Sequence, residues 1–186
     1  MLTIQQIMDE ADILVPNKVP TVDKVLQITE INRDFFETVK IPKLARFTSS
    51  TFSDYILVSD VREKNIDLVS VGMLKYRSLD GDAVNPLQPV YAFDDTTRTL
   101  TLSPAPYQSG LQGIVRYRRI GTVTYTTGNL SATPEAPEEY HGSYIVALAS
   151  WLANTQDDSA KAANYEAQYR AVWNVAAQNY AGGRTS

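Results

Sequence analysis

The sequence predicts an α+β fold in which N- and C-terminal helices form a helical bundle and an antiparallel β-rich domain is inserted between them. Three observations carry that expectation. Apolar residues recur at helical spacing at both ends of the chain, β-branched and aromatic runs with turn residues fill the middle, and the links between those runs are too short for helical crossovers. The boundaries read as 1–42 for the N-terminal helices, 43–133 for the β insert, 134–180 for the C-terminal helices and 181–186 for a flexible tail.

Thr3 precedes Ile4, Ile7, Met8 and Ala11 at helical spacing, and its hydroxyl suits an N-cap. The stretch ends at Val15-Pro16, because the residue before a proline is pushed out of the α region. Thr21 opens a second helix with Asp23 in its first turn, where a carboxylate complements the helix dipole. Val25, Ile28, Phe35 and Val39 trace its apolar face, and Pro42 stops it.

From Leu44 onward strand chemistry takes over. Tyr55–Val58 and Ile66–Tyr76 are rich in β-branched and aromatic residues, and turn residues follow at Leu79-Asp80-Gly81-Asp82, with Pro86 and Pro89 bracketing a connector. Tyr91–Phe93, Asp94–Thr97 and Arg98–Leu102 read as a hairpin. Gly113–Arg119 and Thr122–Thr126 supply two more strands, for five to seven in all, antiparallel throughout. After the loop 128–137 the helical period returns. Tyr144, Leu148 and Leu152 mark a third helix, Asn154–Asp158 a turn, and Tyr165, Tyr169, Trp173, Ala176 and Tyr180 a fourth.

Composition narrows the function classes. At 186 residues with no Cys, the chain has a sizeable core and no thiol, disulfide or cysteine-ligated metal chemistry. Met1–Gln6 lacks a basic cluster followed by an apolar core, so no signal peptide is expected, and no apolar run is long enough to cross a bilayer. Net charge is −4, against binding nucleic acid through an electrostatic patch. Residues 62–133 hold eight basic and six acidic side chains, whereas 1–61 hold six and nine and 134–186 hold three and six, so both ends are acidic.

Candidate chemistry is sparse. His141, the one histidine, stands beside Glu138 and Glu139; a surface residue near a helix start accounts for it better than a general base does. No Gly-x-Ser-x-Gly elbow and no Gly-rich phosphate loop is present. Asp80-Gly81-Asp82 and Asp94-Asp95 read as β-turns, since the later ligands of a calcium loop are missing. Arg116, Arg118 and Arg119 around Tyr117 permit single-strand nucleic-acid binding, but a solvated strand face or an acidic partner protein explains them too. No catalytic residue, metal or cofactor is expected. The stripe Tyr165, Tyr169, Trp173 and Tyr180 packs in the main against the third helix, yet Tyr and Trp tolerate half-wet sites and recur at interfaces, so these four are also candidate subunit contacts.

Thr3–Ile13, Val19–Lys24 and Glu30–Phe36, with its Asn32-Arg33 pair, resemble the N-terminus of tailed-bacteriophage head–tail connector (portal adaptor) proteins. Pro137–His141 opening a helix, the Asp157-Asp158 turn and Ala163–Glu166 are similar to the end of that family, so the resemblance covers about half the chain at its two ends. It implies a structural virion protein of the neck, assembled in the host cytoplasm as a ring of about twelve copies. Such a ring docks on the portal, meets downstream tail or neck proteins, and continues the DNA channel without binding the genome specifically. Net negative charge suits that passage. The resemblance also implies a portal-gripping segment at 180–186, which adds Arg184 to the candidate interface residues. Two other readings stand beside it: another head-completion or tail-terminator protein, and a carbohydrate- or peptide-binding module in the β insert. The latter would cluster Tyr91, Phe93, Tyr107 and Tyr125 on one exposed face.

Overall fold

The computed structural model describes residues 1–49, 54–57, 60–79 and 88–182. Val58, the turn residues Asp80, Gly81 and Asp82, Pro86, and Arg184 with the rest of the tail after Gly182 lie outside the described residues. The chain divides into two compact units, one of residues 1–40 with the chain from Gly121 onward, the other Ile41–Ile120.

The first unit is helical. Helix α1 (Ile4–Leu14) starts at Thr3, whose hydroxyl accepts the Gln6 amide while Gln6 returns a bond to the Thr3 backbone, so two orphan donors are met together. Its Ile4, Ile7, Met8 and Ala11 are buried as the spacing predicts. Helix α2 (Thr21–Val39) buries Val25, Ile28, Phe35 and Val39 and closes on Lys40 in the left-handed region, φ 54°. Helix α3 (His141–Thr155) and helix α4 (Ser159–Gly182) complete the unit, and α4 carries helix two residues into the expected tail.

The expected helical bundle needs correction. Helices α1, α2 and α4 each pack on α3, and α2 also packs on α4, so four stripes do not converge on one axis and no clear four-helix bundle forms. The reason lies in α3 and α4. Helix α3 buries Tyr144, Ala147, Leu148, Ala149, Ser150, Leu152 and Ala153, residues on nearly every side, and its small side chains admit neighbours from several directions. Helix α4 buries only Ala162, Trp173 and Ala176 fully, and leaves Val172 and Val175 exposed.

The second unit is a seven-stranded sheet in the order β1-β7-β3-β4-β5-β6-β2. Its strands are β1 (Pro42–Thr48), β2 (Asp54–Ile56), β3 (Ile66–Val71), β4 (Leu74–Ser78), β5 (Val90–Asp94), β6 (Thr99–Ser103) and β7 (Gln112–Arg118). Phe47 of β1 and Tyr55 of β2, on the two end strands, meet with ring centroids 4.5 Å apart, so the sheet curls until its ends touch. The enclosed core includes Val69, Val71, Tyr76, Phe93, Leu100, Leu102, Val115 and Tyr117. Gly113 permits the curl: a Cβ there would stand 2.3 Å from the Phe47 ring.

The wholly antiparallel insert is also corrected. β4 and β5 run parallel, Arg77 opposite Val90 and Ser78 opposite Tyr91. The stretch between Ser78 and Val90 is long enough to bring the chain back to the start of a parallel neighbour. The run Ile66–Tyr76 is two strands, broken at Gly72, whose φ of +58° supplies the turn. The strand expected at Thr122–Thr126 does not form. Side chains take those backbone donors instead: Thr29 accepts the Tyr125 amide and Glu135 accepts those of Thr122 and Val123.

Candidate functional site

The candidate contact residues lie along α4. Trp173 has no exposed surface. Its indole Nε1 donates to Ser143 Oγ at 2.8 Å, and its ring meets Phe35 edge-on at 5.5 Å and Tyr169 at 4.8 Å. It is a core residue of the helical unit. Tyr165, Tyr169 and Tyr180 are half-buried on the same helix, and Arg184 lies outside the described residues. Burial raises the Tyr169 hydroxyl above its ordinary range, against the opposing charge of Arg170.

Arg170 holds this side of the unit together. Its guanidinium lies over the rings of Tyr169 and Trp173, 5.1 and 5.5 Å from their centroids, and pairs with Asp34 of α2 at 3.0 Å and Glu166 at 3.7 Å. Beside it runs a groove of about 350 Å³ among α2, α3 and α4, with Glu30, Asp34, Trp151, Glu166 and Tyr169 in its walls. The outward face of α4 differs in character. Ala163, Ala167, Ala171, Val172 and Val175 are exposed, and no charged residue occurs from Ala171 to Gly182. Covering a face without charges carries little desolvation penalty, which suits protein contact.

Sequence reasoning missed the polar centre of the unit. Asn32 is completely buried on α2. Its Nδ2 donates to Glu135 Oε2 at 3.0 Å, and its Oδ1 accepts from Tyr144 at 2.8 Å and more weakly from Tyr125 at 3.4 Å. The Tyr125 hydroxyl in turn accepts the Glu135 amide at 2.8 Å. Burial pushes that hydroxyl up to about 12, and the neighbouring Glu135 carboxylate adds to the rise. A signal existed: Asn32 falls between Ile28 and Phe35 on the apolar stripe, where a polar residue needs partners.

His141 is also structural, and buried where a surface position was expected. Its Nε2 faces the Ala136 carbonyl at 2.9 Å and its Nδ1 faces the Leu2 amide at 3.3 Å. A carbonyl only accepts and an amide only donates, so Nε2 donates to Ala136 and Nδ1 accepts from Leu2. Both nitrogens are occupied in holding the chain around α1, which leaves none for a substrate proton.

In the second unit Arg118 pairs with Asp67 at 2.9 Å and Arg119 lies 3.6 Å from Asp60, while Arg116 is exposed on the sheet. Asp60 is buried and accepts from Lys43 and Tyr117, each at 2.7 Å. Burial alone would raise its carboxyl; bonds from Lys43 and Tyr117 and the charges of Lys43 and Arg119 outweigh that and hold it below the ordinary range. Asp94 caps its own hairpin turn by accepting the amides of Thr96 and Thr97. Tyr91 and Phe93 are inside the sheet, Tyr125 is in the helical unit and Tyr107 alone is exposed, so the four form no aromatic binding face. Among the described residues no group of three His, Asp or Glu is placed to hold a metal ion, and no helix is long and apolar enough to cross a membrane.

The family model of the SU10 adaptor protein matches residues 25–185. The chain belongs to the SU10 adaptor protein family. No curated protein matches it. The adaptor match extends the resemblance read at the two ends of the chain through the β unit as well. Membership makes this a structural adaptor of bacteriophage particles, a component that meets other head or tail proteins.

Proposed function

We propose that this adaptor is a head–tail connector that assembles as a ring, docks on the portal and continues the DNA channel toward the tail. The family match over residues 25–185 is the observation that carries the reading. Two features of the helical unit support it. The outward face of α4 is uncharged over three turns, and Tyr165, Tyr169 and Tyr180 stand half-buried along the same helix, where a partner would complete their burial. In this reading those tyrosines, with Arg184 beyond the helix, contact a neighbouring copy or the portal, and Trp173 fixes the helix from behind. The ring holds about twelve copies, resides in the neck of the virion, and lets the genome pass without specific binding.

The reading predicts a particular assembly defect. Phage lacking this chain should accumulate DNA-filled heads and separate tails, visible by negative stain, and adding the purified chain should restore joining. Normally joined particles, or heads joined to tails of uncontrolled length as expected for loss of a tail terminator, would refute it.

A further inference from the structure

The register of the β unit gathers charges that are far apart in sequence. In β1, Leu44, Arg46 and Thr48 point outward, between the inward Ala45 and Phe47. In β7, Ile114 and Arg116 alternate with the buried Val115 and Tyr117; in β4, Lys75 and Arg77 flank the buried Tyr76. Pairing of Arg46 with Ile114, Ile114 with Ser70, and Ser70 with Lys75 sets one row across four strands. Leu44, Arg116 and Leu68 form the next row, with Arg77 two residues beyond Lys75 on the same face of β4.

Arg46, Lys75, Arg77 and Arg116 are all exposed, and among the described residues none has a carboxylate within ion-pair distance. Asp67, on β3 beside Leu68, pairs with Arg118. Four like charges on one face repel one another, so the surface is complementary to something negative. The chain itself holds such a surface. Residues 41–120 contain ten basic and eight acidic side chains, whereas the rest contain seven and thirteen. On α1 the exposed Asp9 and Glu10 stand beside Ile13, 71% exposed.

We infer that the outward face of β1-β7-β3-β4 docks the outer face of α1 in a second copy of the chain. The two faces match in kind as well as in sign. Leu44, Leu68 and Ile114 interleave the cations, as Ile13 adjoins the acids, and mixed arginine and aliphatic character is that of a protein interface. A single nucleic-acid strand would call for aromatic stacking surfaces, and none of the outward residues named on these strands is aromatic. Two different surfaces meeting head to tail generate a ring or a filament, so this inference rests on the ring reading above and states which surfaces meet.

A charge-swap cycle tests it on the full chain. Arg46→Glu with Arg116→Glu, and separately Asp9→Lys with Glu10→Lys, should each weaken self-association by about tenfold or more in sedimentation, and the four changes together should restore it. Wild-type assembly should weaken as salt rises from about 0.05 to about 0.5 M. All four positions are exposed, so unfolding midpoints should move by no more than about 2 °C. Assembly unaffected by the arginine reversals, or weakened without rescue, overturns the inference while leaving the ring intact. A duplex oligonucleotide bound by the wild type and released by the arginine reversals, with assembly unchanged, overturns it in favour of nucleic acid. A wild-type chain that remains monomeric at every ionic strength, both alone and mixed with the portal protein, overturns this inference and ring assembly together.

Discussion

Replacing Asn32 with Ala removes the centre of the helical unit's polar network without touching its surface. The change deletes the donor to Glu135 and the acceptor used by Tyr144, whose side chain is fully buried. A buried hydroxyl left without its acceptor costs about 1–3 kcal/mol, and a bond to a charged group contributes about 1.5–3 kcal/mol. Glu135 keeps its bonds from Thr122 and Val123, which places its share at the low end. The expected loss is therefore about 3 kcal/mol. Trp151 and Trp173, the two tryptophans of the chain, both lie in the helical unit, so tryptophan fluorescence during urea unfolding reads that unit directly. Tyr144→Phe alone should cost about 1 kcal/mol, and the double change should fall short of the sum by at least about 1 kcal/mol because the two side chains share a bond. A loss below about 1 kcal/mol for Asn32→Ala, or strict additivity in the cycle, would refute the network as a source of stability.

Three further outcomes follow from other parts of the molecule. Asp60 is held below the ordinary carboxylate range, so its contribution to the β unit is full above the unfolded-state value near about 3.9 and is lost as pH falls through the lower folded value; Asp60→Asn should flatten the acid limb of the stability–pH curve and lower the plateau at neutral pH. Gly113→Ala should destabilise the β unit by about 1–3 kcal/mol through the clash with the Phe47 ring, and Phe47→Leu in the same chain should recover part of the loss by circular-dichroism melting. Val172→Asp with Val175→Asp should leave the melting temperature within about 2 °C of wild type, since both residues are exposed, yet abolish binding to the portal or to neighbouring copies in a pull-down.

Local signals account for what could be read in the sequence. The Thr3 cap, the apolar stripe of α2, and the hairpin that places Phe93 opposite Leu100 depend on residues close together in the chain. What escaped depends on contacts made across it. The parallel direction of the β4–β5 pair is encoded by no side-chain period. Thr122–Thr126 has the composition of a strand, but its donors are met by Thr29 and Glu135, partners that only the fold supplies. The expectation of a bundle treated each helix as one-sided, whereas α3 is buried nearly all round. Burial of His141 was hidden because a polar residue carries no mark of its own depth, whereas Asn32 stood on the apolar stripe of α2 and lacked only its partners Tyr144 and Glu135, which the fold supplies. The candidate contact residues were legible as a helical stripe, though Trp173 proves to be wholly interior. The cationic sheet face was out of reach, because Arg46, Lys75 and Arg116 become neighbours only through strand register.

We propose above that this adaptor docks as a ring on the portal. Native mass measurement of the chain mixed with the portal protein of the same phage tests it most directly. The expected result is one dominant complex in which about twelve copies of the chain are added to a portal ring. A portal whose mass is unchanged by excess chain, with the chain itself still monomeric, would contradict it.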